Sequence, residues 1–167
     1  MGYLTDGLTF NTLRQANKAR LPTFKNAKGE RAHSTDDGSD WSPAQWLQAL
    51  VGEVGEFANL RKKYERGDIT SEQYAVEAAK ELADIQIYLD ILATRCLDTK
   101  DSAHPTGINL GRATIDKFNE VSKRVGSHIA IRDDGSDYCF DPEMVAKFKE
   151  DLKASGVYEE FDERPRC

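Results

Sequence analysis

Cysteine is scarce in this chain: Cys96, Cys139 and Cys167 are the whole set, and no two of them form a CxxC pair. An odd, scattered set speaks against a disulfide framework or a zinc knuckle and suits reduced thiols in a cytoplasmic protein. No run approaches the roughly 18 apolar residues that would span a bilayer, so no membrane partner is expected. The opening MGYLTDGLTF has neither the basic nor the apolar region of a signal peptide. Asp6 also stands where the myristoylation pattern wants Ser or Thr. A basic surplus is missing too. With 29 Asp and Glu against 23 Lys and Arg, the formal net charge is -6. Coating a nucleic-acid polymer needs a basic face, and this chain does not supply one. A small phosphorylated ligand stays compatible with that balance if metal ions intervene. Walker A loops, GxGxxG turns and Ser/His/Asp arrangements are absent. The pentapeptide DDGSD occurs at 36–40 and again at 133–137. Neither copy has the later Glu and alternating oxygens of an EF-hand loop, so both read as turns.

What is present suits one globular domain. The chain has 167 residues, 39% hydrophobic and 31% charged, enough for a substantial core and too few for two full domains. Residues 9–20, TFNTLRQANKAR, pattern as a short helix that Pro22 stops. A long polar loop follows over 22–41, carrying Lys25, Lys28, Arg31 and His33, and a loop of this length is expected to be a lid, a binding loop or disordered. Ser42, Pro43 and Gln45 then spell a capping box that opens a helix to about Glu65, with Gly67 as terminator. Thr70 and Gln73 repeat the signal for a helix to about Leu97, with Glu77 marked as a place for a break. NLGRATIDKFNEVSKRV, 109–125, is an amphipathic helix ending at Gly126. HIAIR and DYCF pattern as two short strands, and Asp141–Pro142 opens a last helix stopping near Gly156. The expected architecture is therefore an all-α helical bundle with a small β-hairpin and an extra helix at the C-terminus. The helical catalytic domain is placed at 1–126, and a C-terminal extension packed on it at 127–167.

Within ALVGEVGEFANLRKK, residues 49–63, two glutamates stand beside the apolar stripe. Helical residues step by about 100°, which puts Trp46, Phe57 and Tyr64 within about 40° of Glu53. The same construction on KELADIQIYLDILA puts Ile85 and Leu92 within about 40° of Glu81, with Asp84 one ridge away. Two successive helices thus carry ExxE and ExxD pairs separated by 24 residues. A lone ExxE is commonly just solvated. Two pairs embedded in apolar stripes, on helices that pack antiparallel, point to Glu53, Glu56, Glu81 and Asp84 sharing divalent ions. Four converging carboxylates repel by several kcal/mol unless protonated or neutralised. Mg²⁺, with Mn²⁺ as the other candidate, takes oxygen ligands and keeps positions open for phosphate. A di-iron bundle wants ExxH on two helices, yet His33, His104 and His128 lie outside these segments.

These residues carry a resemblance. GEVGEFANLRKK, KELADIQIYLDILA and IDKFNEVSKRVG, with the lead-in DWSPAQWLQAL, resemble the MazG-like branch of the all-α nucleoside triphosphate pyrophosphohydrolases over residues 8–126. The resemblance implies Mg²⁺-dependent cleavage of a nucleoside triphosphate between the α and β phosphates, giving monophosphate and pyrophosphate. It implies that Glu53, Glu56, Glu81 and Asp84 hold the metal and carry catalysis. It also implies phosphate contacts from Lys117, Asn119, Lys123 or Arg124, with Asn59 and Lys63 reaching the substrate. Because Lys117 and Arg124 flank one edge of their helix, and Asn119 and Lys123 the other, all four are not expected at one site of a monomer. Trp41, just before its helix, is the candidate for stacking on a base; Trp46, Tyr88 and Cys96 read as core. Family members assemble as dimers or tetramers, and wide apolar faces on the 71–97 helix, around Ile87 and Ile91, fit a homo-oligomer. A narrower hydrolase of dUTP, a modified nucleotide or a guanosine alarmone is the alternative within enzymes. A helical module that binds nucleotide without turnover is the alternative outside them.

Overall fold

The computed structural model describes residues 7–97, 107–127, 129–135, 138–140 and 142–155. His104, His128, Gly156 and Cys167 lie outside these. The described elements are α1 (Phe10–Arg20), a single 3-10 turn (Leu21–Thr23), α2 (Pro43–Glu65), α3 (Ser71–Arg95), α4 (Leu110–Val125), β1 (Ile129–Ile131), β2 (Tyr138–Phe140) and α5 (Pro142–Ser155). The fold is mainly helical, as the periodicity requires. No described helix is long and apolar enough to cross a membrane. Contacts divide the chain into two compact units, Met1–Asn109 and Leu110–Cys167. The sequence reading set a boundary at Gly126; here α4 falls with the hairpin instead.

The two long helices start and stop for local reasons. Ser42 Oγ accepts from the Gln45 N–H, and the Gln45 side chain accepts from the Ser42 N–H at 2.8 Å. Thr70 and Gln73 do the same for α3. Each box satisfies amide donors that a helix start leaves bare, worth about 1 kcal/mol. At the end of α2 the Asp68 N–H reaches Lys63 O and the Gly67 N–H reaches Tyr64 O. That paired pattern needs a left-handed residue, and Gly67 supplies it at φ 76°. The short turn folds α3 back on α2, and Tyr64 stacks on Tyr74 across it with centroids 4.6 Å apart. Helix α3 is continuous through Glu77, so the break marked there is absent. Glu77 sits on an exposed face where its carboxylate pairs with Lys80 and nothing interrupts the backbone ladder.

The core of the first unit gathers at one end of this hairpin. Leu21, Trp46 and Ile91 are buried together, with Phe24, Trp41, Ile87, Tyr88 and Leu92 against them. Helix α1 is held to α3 by a polar pin rather than by apolar burial alone. Asp90, 1% exposed, accepts from Arg14 Nε at 3.2 Å and from Asn17 Nδ2 at 3.0 Å. Burying a carboxylate is tolerable only with such charge and hydrogen-bond partners.

The loop before α2 is ordered by its own side chains. The backbones of Lys25 and Arg31 pair in an isolated antiparallel bridge, and the Asn26 carbonyl oxygen and side chain close the turn on Gly29 and Glu30. Further on, Asp40 accepts from the Ser34 N–H and the Thr35 hydroxyl, both at 3.0 Å. Burial works against ionisation of Asp40, but these two donors, together with His33 and its own backbone N–H, outweigh it and hold its carboxyl below the ordinary range. Asp37 lies low as well, first through the Ser39 hydrogen bonds and then through Arg95.

In the second unit β1 and β2 form an antiparallel hairpin in the register Ile129–Phe140, Ala130–Cys139, Ile131–Tyr138. Helix α4 ends as α2 does, with Gly126 at φ 74° and the Ser127 N–H on Ser122 O.

Candidate metal centre

The antiparallel return of α3 along α2 brings three of the four expected carboxylates together. Glu53, Glu56 and Glu81 each offer an oxygen, and these oxygens lie within 4.8 Å of one another. Glu53 and Glu81 are half-buried and Glu56 is exposed. Asp84, one turn beyond Glu81 and also half-buried, acts on the group through its field. The Glu53 carboxyl is pushed above its ordinary range, mostly by burial, then by the charges of Asp84, Glu56 and Glu81 in that order. Desolvation and like charge both disfavour the ionised form, and only a cation or a proton relieves them. The donor set is all oxygen, which suits a hard divalent ion such as Mg²⁺ or Mn²⁺ and offers nothing to a soft one.

Tyr88, read from sequence as plain core, borders this centre. Its hydroxyl is raised above its ordinary range by burial and by the negative charges of Glu53 and Asp84, with Arg20 opposing. The signal was in the spacing, since Tyr88 lies four residues, one helical turn, after Asp84.

Other expected site residues fall elsewhere. Asn59 and Lys63 are exposed on α2, with Lys63 within about 20° of Glu56 and two turns further along. Trp41 is partly buried rather than free-standing. It meets His33 edge-on at 4.8 Å and Trp46 at 4.9 Å, so one of its faces is already engaged in the core. His33 was not singled out from the sequence as a site residue. It is 2% exposed, stacks on Trp46 at 5.0 Å and places Nδ1 3.3 Å from Asp40. Trp46 itself is core, as expected, at 1% exposure.

Lys117, Asn119, Lys123 and Arg124 belong to the second unit. Lys117 pairs with Glu120 at 2.6 Å. Asn119 is engaged by the backbone: its Nδ2 donates to Ile131 O at 2.9 Å, and its Oδ1 accepts from the Ile131 N–H at 2.8 Å. This pair of hydrogen bonds ties β1 to α4 and engages both ends of the amide that was expected at phosphate. Lys123 and Arg124 are exposed in the last turn of α4.

Compared with protein-family models, with curated proteins and with solved structures, the chain finds no match.

Proposed function

We propose that this protein is a Mg²⁺-dependent nucleotide pyrophosphohydrolase of the MazG-like, all-α type. It would cleave a nucleoside triphosphate between the α and β phosphates, releasing monophosphate and pyrophosphate. The observation that carries the reading is the convergence of Glu53, Glu56 and Glu81 within one 4.8 Å cluster, with Asp84 pressing on the same group. Phosphoryl chemistry asks for positioning and charge neutralisation, not for a covalent nucleophile. When bound, the ion supplies Lewis acidity toward phosphate and an acidified water. Within this assignment Glu53, Glu56, Glu81 and Asp84 hold the ion. One carboxylate of the cluster, Glu53 or Glu56, would orient the attacking water and accept its proton. Lys63, exposed on the same side of α2 as Glu56, meets substrate phosphate.

A homo-oligomer is part of the proposal. Leu47, Val51 and Val54 on α2 and Leu82 and Leu89 on α3 are apolar yet 36–59% exposed. Their spacing of three, four and seven residues makes one stripe on each helix, the pattern of a face made for another helix.

The experiment is pyrophosphate release from a panel of nucleoside triphosphates, with Mg²⁺ and with a chelator. Release that requires Mg²⁺ and vanishes in Glu53→Gln and Glu81→Gln supports the reading. Equal rates in wild type and both variants, or release of orthophosphate alone, overturn it.

A further inference from the structure

Arginines in this fold are mostly spoken for by acids. Arg14, Arg31, Arg61, Arg66, Arg95 and Arg112 each stand against a carboxylate. Arg20, the last residue of α1, has no such partner among the described residues. Its Nη2 donates to Asn17 Oδ1 at 3.4 Å, a long bond, and its guanidinium lies over the Phe24 ring, 5.3 Å from the centroid. Most N–H donors of this fork are therefore left without a protein acceptor.

Asn17 and Phe24 decide where the fork stands. Asn17 is buried and donates from Nδ2 to Ile87 O at 3.4 Å and to Asp90 Oδ2 at 3.0 Å. Arg20 is thereby tethered to α3 at the residue before Tyr88, and Phe24 packs on the same core cluster as Tyr88. The Tyr88 hydroxyl feels Arg20 on one hand and Glu53 and Asp84 on the other. The guanidinium thus shares a neighbour with two members of the acidic centre, yet pairs with neither. A cation held near acids without touching them leaves room between the two for a group that binds both.

Phosphate is that group. Its oxygens can face divalent ions on one side and an arginine fork on the other, and the fork matches them in bidentate geometry. We propose that Arg20 is a substrate-binding residue of the acidic centre, its guanidinium taking phosphate oxygens of the nucleotide held by Glu53, Glu56, Glu81 and Asp84 through their ions. The assignment rests on the hydrolase reading and deepens it. The resemblance puts the phosphate cations on α4, at Lys117, Lys123 and Arg124, whereas Arg20 lies in the same compact unit as the carboxylates.

The test is steady-state pyrophosphate release by the full chain in Mg²⁺, for wild type, Arg20→Gln, Arg20→Lys and Lys18→Gln, with melting temperatures taken alongside. In Arg20→Gln kcat/KM should fall about 10–100-fold, the worth of hydrogen bonds to a charged group. Arg20→Lys keeps the charge without the fork and should lose less. Lys18→Gln removes an exposed cation two residues away and should match wild type. Inorganic pyrophosphate, added with Mg²⁺ as inhibitor, should bind Arg20→Gln more weakly by a similar factor. The rise in melting temperature on adding Mg²⁺ alone should be unchanged, because the carboxylates are intact; a merely structural role would not single out the pyrophosphate constant. Wild-type kcat/KM in Arg20→Gln, or an equal loss in Lys18→Gln, overturns the assignment and leaves the hydrolase reading standing. Absence of Mg²⁺-dependent release from wild type overturns both. Should Arg20→Gln fail to fold, the pyrophosphate inhibition constant of Arg20→Lys decides: a raised value supports the assignment and an unchanged one overturns it.

Discussion

The Trp46 indole N–H donates to the carbonyl oxygen of Gly38 at 3.1 Å, tying the first turn of α2 to the loop that precedes it. Gly38 adopts φ 68°, and a Cβ there would come within 2.7 Å of Leu21 and 2.8 Å of Trp46. Gly38→Ala combines a left-handed backbone penalty with overpacking of the core, so it should destabilise by about 2 kcal/mol or more. Urea denaturation followed by tryptophan fluorescence measures it, and a loss under about 0.5 kcal/mol would count against this account of the loop.

Asp90 and Arg14 make the second prediction. Asp90→Ala strands a largely buried guanidinium as well as the Asn17 amide, and should cost about 3 kcal/mol. Replacing both partners, Arg14→Leu with Asp90→Leu, should recover a large part of that loss. The double-mutant cycle separates the pair from simple loss of packing.

Glu53 should make the metal-free protein respond to pH in a stated direction. Its folded carboxyl binds protons more readily than in the unfolded chain, where the ordinary value is 4.5. Its contribution to stability is therefore present in full below 4.5 and is lost as pH rises through the higher folded value. Glu53→Gln should remove this component from the melting temperature measured in chelator between pH 4 and 7. Asp37 runs the other way: its carboxyl is lowered in the fold, so its share is present above 3.8 and disappears on acidification.

Divalent ion should stabilise the fold through the same carboxylates. At a hundredfold excess over the dissociation constant the gain is about 2.7 kcal/mol, or roughly 5–10 °C for a chain of this size. Scanning calorimetry with and without Mg²⁺ reads it. Glu53→Gln and Glu81→Gln should abolish most of the shift and lower turnover by at least about 100-fold. A full shift in both variants would place the ion elsewhere.

Asn119→Ala should loosen the hairpin of the second unit without touching the acidic cluster. It removes the acceptor of the Ile131 N–H and the donor to Ile131 O, for a loss of about 1–3 kcal/mol. Hydrogen exchange at the Ile131 amide is the direct reading, and unchanged protection would show the bonds to be incidental.

The helices were legible because their signals are local. Ser42 with Gln45, Thr70 with Gln73, and Gly67 and Gly126 each act through backbone groups a few residues away, and all stand where the sequence put them. Glu53, Glu56 and Glu81 were legible for a related reason, since each interrupts an apolar stripe and adjacent helices had to bring the stripes together. Asp90 gave the same signal inside YLDILA but was passed over, because its partners Arg14 and Asn17 lie more than 70 residues away. The backbone partner of Asn119 was passed over on similar ground. Its amide suits phosphate and backbone equally, and only the return of β1 decides between them. His33 and Arg95 depend on how a 20-residue loop closes, and no periodicity encodes that.

The turn at Gly67 has a kinetic meaning. Five residues, Arg66–Thr70, separate two long helices, so closing that loop carries a small entropic cost and the hairpin is favoured to form early. The repelling acids are therefore forced into proximity by the quickest step of assembly, before the distant Arg14–Asp90 link can reinforce it. Cations in the surrounding medium would then act on how fast this chain folds, as well as on how stable it becomes.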